Sequence, residues 1–275
     1  MSKSVLRHLG CLPILVVLPT ATVAVQAAVV MGDLAIIARQ NNTATDPFAF
    51  VALRRIAAGE VVYFTDNGWT GTQFRGSASF GGGFEGLMMW TANQDVAAGT
   101  VVRSTATSSA FTWTTSGTVP GAASGSFSRL NISQSGDQIY AFTAAASNPL
   151  ANPTAHLFVL DDTGTFEAGT TGSSGALPTG APGLTVIPPG GAGSIANTVA
   201  LGTIRIGNFS GTRTASQWMD YFADPSNWVF VSGTSELSGV PASLSVSAVP
   251  EPPEGILVAA AGLAAVGWLV RRRTR

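Results

Sequence analysis

Six aspartates stand where an apolar run gives way to turn-forming residues: Asp33, Asp46, Asp66, Asp137, Asp161 and Asp162. Carboxylates at strand ends can converge with backbone carbonyls on Ca²⁺, a hard cation that collects six to eight oxygens. Asp66, Asp161 and Asp162 are the candidate metal ligands of the set. Aspartate also occupies such places simply because its side chain caps a turn. No spacing here reproduces an EF-hand or a Gly-Asp nonapeptide repeat. A second set is aromatic. Phe74, Phe80, Phe84 and Trp113 interleave with Gly, Ser and Thr, a composition that sets stacking rings beside hydroxyls, as a carbohydrate platform requires. The competing account is core packing, the commonest use of large rings in β-domains; Trp69 and Trp228 read as core.

Catalytic chemistry has little to work with. Of two histidines, His8 lies in the N-terminal leader, so His156 is the one histidine of the body. It precedes the apolar run Leu157-Phe158-Val159-Leu160, and with hydroxyls so abundant no serine is singled out as its partner. The single cysteine, Cys11, also lies in the leader, which removes disulfides and cysteine-ligated metals from the body. Residues 28–249 carry eight arginines and no lysine against thirteen carboxylates, a formal charge of −5. Without clustered positive charge there is no nucleic-acid footprint. The expectation is a protein that is not an enzyme.

The two ends read as targeting segments. Lys3 and Arg7 precede an apolar stretch over 9–25, and Val25-Gln26-Ala27 supplies small residues for a cut after Ala27, with Ala28 as the alternative. That order is a secretory signal peptide. Residues 255–270 are uncharged and precede Arg271, Arg272, Arg273 and Arg275. As a helix they predict a short membrane span of roughly 24 Å, at ~1.5 Å per residue, stopped by a basic cytoplasmic tail. The hydrocarbon core is ~30 Å thick, so the span is marginal.

Val249-Pro250-Glu251-Pro252, the apolar segment and the arginine cluster occur in that order and together resemble the Pro-Glu-Pro C-terminal sorting signal (the PEP-CTERM family). The resemblance implies processing by an exosortase-type membrane protease. It also implies anchoring in the inner membrane beforehand, delivery to the cell surface or the extracellular space, and association with exopolysaccharide in a biofilm matrix.

Between the ends the elements are strands. Leu34-Ala35-Ile36-Ile37-Ala38, Phe48-Ala49-Phe50-Val51-Ala52-Leu53, Val61-Val62-Tyr63-Phe64-Thr65, Leu87-Met88-Met89-Trp90-Thr91, His156-Leu157-Phe158-Val159-Leu160 and Trp228-Val229-Phe230-Val231 are short apolar runs bounded by turn signals. Residues 39–46 read as a loop. Phe111-Thr112-Trp113 and Leu184-Thr185-Val186-Ile187 are islands in long polar tracts and are expected to pair as edge strands. Ile56-Ala57-Ala58-Gly59-Glu60-Val61-Val62 is echoed forty residues on by Val96-Ala97-Ala98-Gly99-Thr100-Val101-Val102, read as two hairpins with the same turn. Trp218, Tyr221 and Phe222 fall on one face of a helix over 216–224, capped by Thr214 or Ser216 and ended by Pro225.

The runs Gly32-Asp33-Leu34-Ala35-Ile36-Ile37, Val62-Tyr63-Phe64-Thr65-Asp66-Asn67-Gly68-Trp69 and Gly136-Asp137-Gln138-Ile139-Tyr140-Ala141-Phe142 make residues 31–230 similar to an uncharacterised module of secreted bacterial proteins. Their opening strand and Gly-Trp also resemble lamin-tail immunoglobulin-like domains. The expected architecture is an all-β, antiparallel, sandwich-like ectodomain (28–231) with one short helix, then a stalk with the sorting motif (232–254), a transmembrane helix (255–270) and a basic tail (271–275). The expected role is a non-enzymatic surface or matrix protein. The alternatives are an exopolysaccharide-binding module, a calcium-stabilised structural module and a secreted hydrolase.

Overall fold

The structure is a computed structural model that describes residues 28–41, 46–76, 86–106, 111–115, 130–132, 137–145, 147–162, 175–179, 183–185, 202–233 and 237–247. Strands β1 (Leu34–Asn41), β2 (Phe48–Ala52), β3 (Val61–Thr65), β4 (Met88–Thr91), β5 (Val101–Ala106), β6 (Phe111–Thr115), β7 (Gln138–Ala144), β8 (Pro153–Asp161) and β9 (Gly183–Thr185) come first. They are followed by β10 (Gly202–Ile206), β11 (Thr212–Thr214), helix α1 (Ala215–Phe222), β12 (Trp228–Ser232) and β13 (Ser245–Ser247). Two sheets result, a six-stranded one in the order β12-β10-β1-β2-β5-β6 and a five-stranded one in the order β4-β3-β7-β8-β9. All their pairings are antiparallel except β8–β9.

Strict alternation in β3 and β7 divides the apolar side chains between two cores. Val62, Phe64, Ile139 and Ala141 join Phe48, Phe50, Trp90 and Trp113 between the sheets. Tyr63, Tyr140 and Phe142 point to the other side, where Trp69, Phe74 and Leu150 cover them in a second, smaller core. β1 is buried on both faces from Leu34 to Ala38. Its outer side lies against α1, whose Trp218 and Phe222 are buried and whose N-terminus is closed by a capping box of Thr214 and Gln217.

The forty-residue echo has a structural cause. The two segments are not hairpins; one carries the chain from β2 to β3, the other from β4 to β5, so each crosses between the sheets in opposite senses. They bridge each other at Ile56 and Val96 through reciprocal bonds, Ile56 N to Val96 O at 2.9 Å and Val96 N to Ile56 O at 2.8 Å. Equivalent positions repeat the partners: Gly59 N donates to Ala92 O and Gly99 N to Ala52 O. Both glycines sit at φ near +90°, at +88° and +87°, where a side chain is strained.

Three expectations change. β1 runs on through Arg39 and Gln40 to Asn41, so the sequence read as a loop begins as buried strand. Residues 237–247, expected within a stalk with room for one last edge strand at 244–246, pack on the body instead. Leu237, Val240 and Leu244 belong to the main core, and β13 pairs in parallel with β11. The third change concerns the membrane. Among the described residues no helix is long and apolar enough to cross one, and the α-helix described is the eight-residue α1. The fold is therefore corrected to a β-rich domain with one short helix. Inner-membrane anchoring and the membrane as partner are withdrawn, since no described helix supplies such a span; exosortase-type processing rested on the sorting-signal resemblance, whose residues lie outside the described ones. Physically, a helix of sixteen residues would cover only roughly 24 Å against a ~30 Å core. Residues 255–270, the signal peptide 1–27, the motif Val249-Pro250-Glu251-Pro252 and Arg271, Arg272, Arg273 and Arg275 lie outside the described residues.

Candidate functional site

The polar residues gather where the C-terminal end of β1 meets the start of β7 and the end of β8. The chain places them there because Arg39 ends the apolar run of β1 in one sheet, while Asp137 opens β7 and Asp161-Asp162 closes β8 in the other. The Arg39 guanidinium, 1% exposed, forms an ion pair through Nη2 with the Asp162 carboxylate. The other oxygen of Asp162 accepts from the Asp137 backbone N–H at 2.6 Å, and Asp162 N donates back to Asp137 O at 3.1 Å. Asp137 Oδ1 in turn accepts from Gln138 N at 2.9 Å. Burial pushes the Arg39 pKa down to about 10, opposed by the neighbouring carboxylates of Asp137, Asp46 and Asp161. At neutral pH the group stays a cation, so the ion pair joins the two sheets.

Asp66 lies on the loop after β3 and is fully buried. Its carboxylate accepts from Asn131 N, and its carbonyl accepts from the Gln138 side chain. Next to it, Asn67 Nδ2 donates to Thr65 Oγ1 and Gly86 O, both at 2.8 Å. The three expected metal ligands are therefore buried, and Asp162 and Asp66 carry hydrogen bonds from the protein. Among the described residues no three His, Cys, Asp or Glu side chains are grouped so as to hold a metal ion.

The expected stacking platform is divided in the same way. Phe74 is fully buried, with its ring 5.0 Å from Trp69 and 4.6 Å from Phe142. Trp113 is buried against Phe48 and Phe64, and its indole N–H donates 2.9 Å to Met89 O, which ties the edge of one sheet to the edge strand of the other. Phe80 and Phe84 lie outside the described residues. These rings fill the two cores, as large aromatics in a β-domain commonly do.

His156 sits in β8 with its ring centroid 4.5 Å from Trp69 and 5.6 Å from Phe74. Its buried Nδ1 has no hydrogen-bond partner among the described residues, and burial pushes its pKa down to about 4. With its neighbours aromatic, the imidazole is held neutral as part of the second core.

Arg39 and Gln40 complete the site without standing among the residues that sequence pattern singles out. Gln40 is fully buried and pairs across the sheet with Thr203; its Oε1 accepts from Leu237 N at 2.7 Å. Their signal was there: a charged and an amide residue directly continuing an unbroken apolar strand. No family model, curated protein or solved structure matches the chain. The functional reading therefore rests on this geometry and on the sequence.

Proposed function

We propose that this protein is a non-enzymatic structural component of a cell surface or extracellular matrix. The observation that carries the structural part of the reading is the Asp162 carboxylate, held on one side by Arg39 and on the other by the Asp137 N–H; the location rests on the secretory-signal order of residues 1–27. A carboxylate kept for a metal or a substrate would have its oxygens turned to an open site; here one binds the other sheet through Arg39 and the second binds the neighbouring strand entrance at Asp137. The burial of Phe74 and Trp113 supports the same reading over a carbohydrate platform.

Calcium provides the test. A ligand that prefers the folded state raises the unfolding midpoint by mass action, by about 2.7 kcal/mol at a hundred times its dissociation constant. Thermal unfolding of the full chain is expected to give the same midpoint in chelator and in millimolar Ca²⁺. A midpoint that rises with Ca²⁺ and falls with chelator would replace the proposed role with that of a calcium-stabilised module.

A further inference from the structure

Residues 175–179 cross the outer face of the five-stranded sheet and close the second core. Ala176 N donates to Trp69 O at 2.9 Å, and the Tyr140 hydroxyl donates to Ala176 O at 3.0 Å. Gly175 is pressed so close that a Cβ there would lie 2.2 Å from both Trp69 N and Tyr140 Oη. Pro178 is buried and Leu177 exposed. Trp69 is thus shared: its backbone holds this segment, and its ring lies against His156.

We propose that residues 175–179 form an acid-released strap, which detaches from Trp69 and Tyr140 when His156 takes up a proton. The buried Nδ1, with no acceptor among the described residues to receive a second N–H, makes the imidazolium costly in place. Moving Trp69 admits water to the ring, and the two hydrogen bonds of Ala176 depend on Trp69 and on Tyr140 beside it. Release uncovers Trp69, Phe74 and Tyr140, an aromatic face that is otherwise closed.

Among the described residues the groups around His156 do not supply a counter-charge. Across the sheet His156 faces Phe142 on β7, and the Tyr63 ring on β3 lies tilted against that same Phe142 at 5.6 Å. Burial raises the pKa of both Tyr63 and Tyr140, so both stay neutral in acid. Arg75, on the loop after Phe74, acts on Tyr140, as do Asp137 and Asp161 from the opposite end of the strands. Residues 175–179 contribute no ionisable side chain. The direction follows from linkage. The folded-state pKa, about 4, lies below the ordinary 6.5, so the closed state is fully favoured above pH 6.5 and loses that advantage as pH falls toward 4.

Hydrogen exchange on the full chain at pH 7.5 and pH 5, corrected for intrinsic rates, tests this. The Ala176 amide is expected to lose protection on the order of tenfold at pH 5, while amides of β1 keep theirs. In His156→Phe the loss should vanish. His156→Gln, neutral at every pH, is expected to do the same and stands in if the phenylalanine variant does not fold. Equal acid sensitivity in wild type and variants would overturn the proposal, and so would a simultaneous loss of protection at Ala176 and in β1.

Discussion

Replacing Arg39 by methionine is expected to cost about 3–5 kcal/mol of folding stability, the usual consequence of removing one partner from a buried ion pair. The methionine fills much of the volume, so the loss is electrostatic. Asp162 would keep its bond from Asp137 N but lose the cation that offsets it, and Asp46, Asp137 and Asp161 lie close enough to act on the same site. With a total stability of roughly 5–15 kcal/mol for a domain, that change lowers the urea midpoint by about a fifth of its value at the least and, in a marginally stable domain, takes it to zero denaturant. Asp162→Asn is the partner substitution. The two together should cost less than the sum of each alone by about 0.5–3 kcal/mol, since the second removes the charge that the first left stranded. Strict additivity in urea denaturation would mean that the two side chains do not act as a pair.

Ending the chain after residue 236 is expected to abolish cooperative folding, whereas ending it after residue 247 should leave the midpoint unchanged. The body reaches for the 237–247 segment with several side chains. Gln40 Oε1 accepts from Leu237 N, Arg103 donates to the carbonyls of Val240 and Pro241, Arg205 Nε donates to Ser238 O at 2.8 Å, and Trp218 Nε1 donates to Ser245 O at 3.0 Å. Gly99 lies against the Leu244 backbone with no room for a Cβ, which would stand 2.1 Å from Leu244 O. Burying Leu237, Val240 and Leu244 contributes about 1.5–3 kcal/mol each. The sum approaches the whole stability of a domain, before counting the buried amide of Gln40 left without its bond. Far-ultraviolet circular dichroism during thermal unfolding distinguishes the outcomes; a sharp, unshifted transition in the shorter chain would return 237–247 to the status of a stalk.

The strands were legible because their signals are local. Apolar runs of five or six residues, β-branched and aromatic, predict β2 and β3 within a residue, and the period of Trp218, Tyr221 and Phe222 finds α1 together with its Thr214 cap. The forty-residue echo was also visible, but not its meaning. A turn that links paired neighbours and an arch between sheets use the same Ala-Ala-Gly sequence, and the distinction depends on which strands pair far along the chain. The same limit applies to the candidate site. Asp162 at a strand end looks identical whether it faces solvent, a metal or a guanidinium, and here the deciding residue, Arg39, is 123 positions away. The glycine and serine around Phe74 point to a surface ring. The chain folds that loop back over Tyr140 and Phe142, and local composition does not encode the outer face of a sheet that closes over it.

The central claim is that the residues best suited to chemistry are used to hold the sheets together. Thermal unfolding of Phe74→Leu, Trp113→Phe and Asp162→Asn in the full chain tests it most directly, because removing a residue kept for a ligand generally spares stability. Each variant is predicted to unfold several degrees below wild type, at roughly 2–4 °C per kcal/mol for a domain of this size. Three variants that unfold with the wild-type midpoint would contradict the account and return these side chains to the list of candidate ligand contacts.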